Sequence, residues 1–224
     1  GKGSSDEAFT AVGVKDYPKI DYGARARETL AFDAAAEVSR IVAVLRTQVG
    51  ETLRRRGLVV AMSGGVDSSV CAALALRAFG PARVFGLMMP ERDSDPASLT
   101  LARGLADQLE ITSQVEEITA TLEACGCYSR RNAAIRSVMP EFGDDWACKI
   151  VLPGDRLDSD RLNVFYLVVR PPGGEVRTIR LPAPAYLAVV AATNFKQRVR
   201  KMLQYDHADH KHYAVTGTPN RLEY

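Results

Sequence analysis

The sequence contains no run of eighteen apolar residues, so no transmembrane helix is expected. Its opening, Gly1 to Thr10, has no apolar centre and does not read as a secretory signal. Neither sign of charge is in excess. Lys and Arg number 29 and Asp and Glu 27, and a net charge of +2 gives no argument for a nucleic-acid or membrane partner. The four cysteines follow no framework spacing and include no C-x-x-C pair, which points to a reducing compartment, the cytoplasm. Internal repeats and low-complexity tracts are absent as well. What remains is an ordinary globular composition, 46% hydrophobic and 25% charged, over 224 residues, enough to bury a sizeable core.

Residues 1–21 are polar and read as a loose arm. A helical rhythm then runs through Leu30, Ala34, Val38, Ile41, Val42, Leu45 and Val49, with Arg54, Arg55 and Arg56 at its C-terminal end and Gly57 as the residue that closes it. From Leu58 the pattern changes to short apolar runs alternating with helices. Strands are expected at 58–62, 83–90 and 113–119, and helices at 66–79 and 96–110, the latter with Asp95 as N-cap and Pro96 in its first turn. Such alternation predicts a doubly wound, mainly parallel α/β sheet. The rhythm then breaks. A helix is expected at about 121–139, a short extended piece at Cys148–Gly154, a β-hairpin over 162–182 turned at Pro171–Gly174, and a helix over 183–207 interrupted near Thr193 and Asn194. A last sheet strand falls at 212–218. The sequence therefore divides into an arm and helix (1–57), a first nucleotide-binding half (58–120), an insert (121–192) and a return to the nucleotide-binding fold (193–224).

Between the first strand and its helix stands Ser63-Gly64-Gly65-Val66-Asp67-Ser68-Ser69. Two glycines free the backbone to turn its N–H groups toward an anion, and the helix start adds unpaired N–H groups and the positive end of its dipole. Ser63, Ser68 and Ser69 supply hydroxyls. Asp67 beside a polyphosphate makes sense once a Mg²⁺ ion lies between them. The loop has neither the lysine of G-x-x-x-x-G-K-[ST] nor the spacing of G-x-G-x-x-G, which favours a grip on pyrophosphate.

S-G-G-x-D-S resembles the signature of the PP-loop, or N-type, ATP pyrophosphatases. Two more stretches narrow the resemblance to the NAD synthetase family. Thr193–Tyr205 matches N-x-K-x-R-x-R…Y through Asn194, Lys196, Arg198, Arg200 and Tyr205, and Ala214–Tyr224 is similar to V-x-G-T-x-N-x-x-E through Gly217, Thr218, Asn220 and Glu223. Gly86–Asp95 looks like the family's adenosine-site segment and brings in Met88. The resemblance implies an adenine nucleotide alpha hydrolase-like, Rossmann-like fold. It also implies an amide ligase using ATP and Mg²⁺, in which a carboxylate is adenylated, pyrophosphate leaves and ammonia displaces AMP. By that resemblance the catalytic set is Ser63, Asp67 and Arg198. The nucleotide set is Ser63 to Ser69, including Val66, with Met88 and Thr218. Asn194, Lys196, Arg198, Arg200 and Tyr205 meet the acceptor, and Asp67 and Glu223 hold the metal. The acceptor is deamido-NAD, ammonia is free or comes from a separate glutaminase, and the protein is a homodimer.

Other readings stand beside this one. The same chemistry can serve another acid, such as a sugar carboxylate or a biosynthetic intermediate. A PP-loop tRNA-modifying enzyme and a non-catalytic nucleotide-binding subunit are further alternatives. The basic stretch around Arg198 reads equally as a solvated helix face, Cys125-Gly-Cys127 is too tight for a zinc site, and His207, His210 and His212 fit a solvated helix end better than a metal site. Cys71 reads as core, and Trp146 as an anchor for the insert or for a ligand. The insert exceeds what the resemblance requires, and a further C-terminal portion is expected beyond Tyr224.

Overall fold

The computed structural model describes residues 33–151 and 165–218. The chain forms two compact units, residues 1–38 and 39–224. In the first, Asp33 caps the start of helix α1 (Ala34–Arg46), its carboxylate accepting the Ala35 and Ala36 N–H groups at 3.0 Å. Of the expected helical rhythm, Leu30 lies outside the described residues, no residue of α1 is buried, and only Val49 is. Helical structure continues as a wider turn, Thr47–Thr52, and ends before the arginines. Gly57 does not close the helix as expected, since the left-handed residue there is Arg54 (φ 52°). Gly57 instead lies against the Arg83 carbonyl, which a Cβ would meet at 2.1 Å.

The second unit contains a four-stranded parallel sheet, in the order β3-β2-β1-β7. It comprises β1 (Leu58–Ala61), β2 (Val84–Met88), β3 (Thr112–Val115) and β7 (Ala214–Val215). Side chains alternate across it. Leu58, Val60 and Met62 enter one core with Ala72 and Ala75 of α2 (Val66–Phe79) and Ala102 and Ala106 of α3 (Pro96–Gln108). Val59, Phe85 and Leu87 enter the opposite core with Leu122, Tyr128, Val199 and Ala208. The fold is thus a doubly wound α/β sheet. Its strand β3 is shorter than the sequence implies. Glu116 still bonds the Met88 carbonyl at 2.8 Å, but Thr119 starts α4 (Thr119–Ala124), its N–H held by the Glu117 carboxylate.

The helix expected over 121–139 is two helices. Gly126 (φ 73°) separates α4 from α5 (Cys127–Arg136). The insert then forms a second sheet, antiparallel, in the order β4-β5-β6. The expected hairpin is β5 (Phe165–Arg170) and β6 (Arg177–Leu181), closed by Gly174 N–H on the Pro171 carbonyl at 3.1 Å; residues 162–164 lie outside the described residues. The short extended piece expected at Cys148–Gly154 is β4 (Ala147–Val151), paired along β5; residues 152–154 lie outside the described residues. Leu167 and Val169, both fully buried, pack on Ile135, Met139, Phe142, Ala185 and Val189.

Helix α6 (Ala183–Lys211) is continuous, contrary to the expected break near Thr193. Thr193 turns its hydroxyl back onto the Val189 carbonyl at 2.8 Å, which a helix accommodates without interruption. Its first half (Ala185, Val189) serves the insert's core, and its second half (Val199, Ala208) the parallel sheet. Leu167→Ala therefore opens a cavity under the insert and should cost about 2–5 kcal/mol, read as a lowered midpoint in urea or heat.

Candidate active site

Two cavities lie on either side of the segment that follows β2, and the smaller is at the carboxyl ends of β1 and β2, where α/β folds bind ligands. The smaller, about 380 Å³, is lined by Met62 and Ser63 after β1, Met88 to Pro90 after β2, Ser94, Asp95 and Ser98 around the start of α3, Gln197, Arg200, Lys201 and Gln204 of α6, and Thr216 and Thr218 beyond β7. The larger, about 910 Å³, is lined by Glu91 to Asp93, Arg131, Asp144 to Ile150, Leu167, and Val189, Val190, Thr193, Asn194 and Lys196 on one side of α6.

The Ser63–Ser69 loop takes its shape from internal bonds. Ser63 Oγ accepts Gly65 N–H at 3.3 Å and sits 3.1 Å from Ser68 Oγ, while the Ser68 and Ser69 hydroxyls donate to the Gly65 carbonyl at 2.9 and 2.8 Å. The hydroxyls thus brace the loop, and its anion-binding capacity rests on backbone. Ser69 N–H makes the first helical bond, to Gly65, which leaves the N–H groups of Val66, Asp67 and Ser68 without a helical partner. Gly64 has φ 79°, and a Cβ there would lie 2.3 Å from the Ser98 carbonyl, so the loop is locked against α3 by a residue without a side chain.

Asp67 is exposed on the first turn of α2, and no ion pair among the described residues engages it. An exposed carboxylate without an ion-pair partner among the described residues suits a hard divalent cation such as Mg²⁺. The other expected metal ligand, Glu223, and Asn220 of the same stretch lie outside the described residues. Cys71 is half-buried, with its thiol 3.8 Å from the Gly217 carbonyl; burial, and then the Asp67 charge, push its pKa up.

Of the other residues expected at the site, Met88, Thr218 and Arg200 line the smaller cavity, and Asn194 and Lys196 the larger. Arg198 and Tyr205 line neither of these two cavities and are exposed on α6. Trp146 packs against the core of the insert. It meets Phe142 edge-on at 5.6 Å within the insert and also lines the larger cavity. His207 stacks on Phe85 and bonds Glu116 at 2.5 Å, His212 contacts Arg55, and no cluster of metal ligands is found among the described residues.

Sequence reasoning missed two features. Lys201, on the smaller cavity, bonds Gln204 and the Thr216 carbonyl, and burial lowers its pKa. The second is an ion network between the cavities. Glu91, 7% exposed, accepts from Tyr128 Oη at 2.7 Å and Lys196 Nζ at 2.9 Å. Asp93 accepts from Lys196 at 2.8 Å and Arg131 at 2.5 Å. Burial opposes charge on both carboxylates, but these donors outweigh it and hold both pKa values below the ordinary range. The Tyr128 phenol is pushed up by burial and by Glu91. The residues come from three separated stretches, 91–93, 128–131 and 196, and no motif or spacing in the sequence signals their pairing.

The NAD synthase family profile matches residues 37–138. The NH(3)-dependent NAD(+) synthetase of Mesorhizobium japonicum is 57% identical over 87% of this chain and 61% of the relative. The chain belongs to the NAD synthase family. The NH(3)-dependent NAD(+) synthetase of Rhizobium meliloti is 53% identical over 88% of the chain and 58% of its own length. The chain thus spans about 60% of the length of these curated relatives. Among solved structures, an NH3-dependent NAD synthetase from Campylobacter jejuni shares the fold (TM-score 0.54, 22% identity, 86% of this chain and 59% of that one), as does an NMN synthetase from Francisella tularensis (0.55, 19%, 86% and 57%).

Both carboxylates of the network have depressed folded pKa values. Their stabilisation is full above the unfolded value near ~4 and is lost as pH falls through the lower folded values. The difference in melting temperature between wild type and Glu91→Gln should therefore be constant from about pH 8 to 6 and shrink on acidification below about pH 4.

Proposed function

We propose that this chain carries the catalytic core of an ammonia-dependent NAD synthetase, which uses ATP to convert the carboxylate of deamido-NAD to an amide. The observation that supports this most is the braced Ser63–Ser69 backbone cradle at the carboxyl end of β1, opening onto a cavity between β2, α6 and the segment after β7. Backbone N–H groups at the α2 start receive the phosphates, and Arg200 and Lys201 face the same space. The adenine side is walled by Met88 and Met89. Asp67, with Glu223, would hold Mg²⁺, whose charge offsets that of the leaving pyrophosphate. No general base is required of the protein for adenylation, because the attacking carboxylate is already ionised; the site's work is alignment and charge stabilisation.

The acceptor approaches along α6. Arg198 is placed for it on an exposed stripe of that helix with Leu187, Ala191, Asn194, Met202 and Tyr205. Leu187, Met202 and Tyr205 are 63, 57 and 58% exposed, which is unusual for large apolar groups on one helix face and supports a homodimer joined there, with Arg198 at the shared surface. The four cysteines are free, in keeping with a cytoplasmic setting. No helix among the described residues is long and apolar enough to cross a membrane.

The full-length protein, given ATP, Mg²⁺ and ammonium, should release pyrophosphate only when deamido-NAD is present, with NAD identified by mass. Release without any dependence on deamido-NAD, or with a different acid only, would overturn the acceptor. Asp67→Asn should abolish turnover at an unchanged melting temperature, because it removes a metal ligand and no core atom. Leu187→Asp should shift the dimer to monomer in sedimentation velocity; an unchanged dimer would place the interface elsewhere.

A further inference from the structure

The loop from Pro90 to Asp95 is the partition between the two cavities. Pro90, Ser94 and Asp95 face the smaller, and Glu91, Arg92 and Asp93 the larger. Within the loop, Glu91 N–H donates to Ser94 Oγ at 3.0 Å, Asp93 N–H to Glu91 Oε2 at 3.0 Å, and Ser94 N–H to the Glu91 carbonyl at 2.8 Å. It therefore moves as one body, with Glu91 at its hub. It is tied to the segment after β3 by the Ile118 N–H on the Pro90 carbonyl at 3.0 Å and by its own Arg92 N–H on Thr119 Oγ1 at 2.9 Å, and to the flanking helices through side chains. Tyr128 and Arg131 hold it to α5, Arg92 stacks over Tyr128 at 3.7 Å, and Lys196 holds it to α6.

The tie to α6 sets a dimension. Gln197, Arg200, Lys201 and Gln204, on the same helix, form the wall of the smaller cavity across from the loop. Lys196 is next in sequence to Gln197, and its ammonium reaches two carboxylates of the loop at 2.9 and 2.8 Å. The distance between the two walls is thus fixed by one cation. That cation is 14% exposed in its side chain and has two of its three donors engaged, while its remaining side faces the Tyr128 ring at 5.6 Å. Without it, Glu91 and Asp93 would face each other as like charges, with Glu91 still buried, and the loop would swing from α6.

We propose that Lys196 is a positioning residue for the nucleotide: through Glu91 and Asp93 it sets the width of the smaller cavity, and it does not contact the acceptor. This corrects the role that the motif resemblance gave it, and it rests on the reading that the smaller cavity takes ATP. The two other motif cations, Arg198 and Arg200, keep their solvent-facing and cavity-facing positions, and no ion pair among the described residues engages either.

The test is Mg²⁺–ATP affinity by calorimetry on the full-length protein, with deamido-NAD affinity measured in parallel. Lys196→Met should weaken ATP on the order of tenfold, while deamido-NAD binding stays within about twofold. Glu91→Gln, isosteric and expected to fold, should weaken ATP in the same direction. The double variant should lose less than the product of the two single losses, the mark of residues acting through one contact. Circular dichroism at the assay temperature establishes that each variant is folded, and if Lys196→Met is not, Glu91→Gln and Tyr128→Phe decide. Lys196→Met with wild-type ATP affinity, multiplicative losses in the double variant, or a loss confined to deamido-NAD would each overturn the proposal. Wild-type protein that fails to bind ATP would overturn the assignment of the cavity itself, a result distinct from these.

Discussion

Helix α6 belongs to two cores at once, and most of the architecture follows from that. Val189 and Ala185 are buried with Leu167, Val169 and Phe142 of the insert, while Val199 and Ala208 are buried with Val59, Phe85 and Leu87 of the parallel sheet. A helix of 29 residues with no internal break transmits position rigidly between those cores. Where it passes from one to the other, the buried surface gives way to charge, and Lys196, Glu91, Asp93 and Arg131 meet there. Ions at such a seam are stable only when every donor and acceptor is matched, and no buried side-chain nitrogen or oxygen among the described residues lacks a partner.

The nucleotide end was readable because its physics is local. A buried strand, Leu58–Ala61, followed at once by two glycines and a helix leaves few conformations, and the Gly64 contact with the Ser98 carbonyl enforces one of them. The continuous apolar runs of β1 and β2 were equally visible, because both faces of a doubly wound sheet are covered, and Leu58, Val59 and Val60 are all buried. Family motifs assigned Thr218 and Met88 to the nucleotide and Arg200 to the acceptor, and the structure brings all three to one cavity, because motif membership does not say which direction a side chain takes.

What escaped the sequence depended on distant partners. The Cys148–Val151 piece reads as extended, but its place in a sheet depends on the edge that β5 offers it from a distant stretch of sequence. The sequence pattern carried β3 too far because the chain stays alongside its neighbour after regular pairing has ended, Glu116 N–H bonding Met88 of β2 and Ile118 N–H bonding Pro90 beyond it. The break expected at Thr193 followed from propensity, which a single hydroxyl bond to Val189 overrode. The Glu91 network was invisible for the most general reason. Its members come from positions 91, 93, 128, 131 and 196, and charge pairing leaves no periodic trace.

The second sheet enters the chain after α5 and leaves it into α6, so its three strands share no hydrogen-bond ladder with the parallel sheet. Lineages could therefore lengthen, shorten or rebuild β4 and β5, and with them the Trp146 side of the larger cleft, without moving one strand under the phosphate loop. The two ends of the site are open to evolve at different rates, the nucleotide end held by backbone geometry and the other by exchangeable side chains on a grafted sheet.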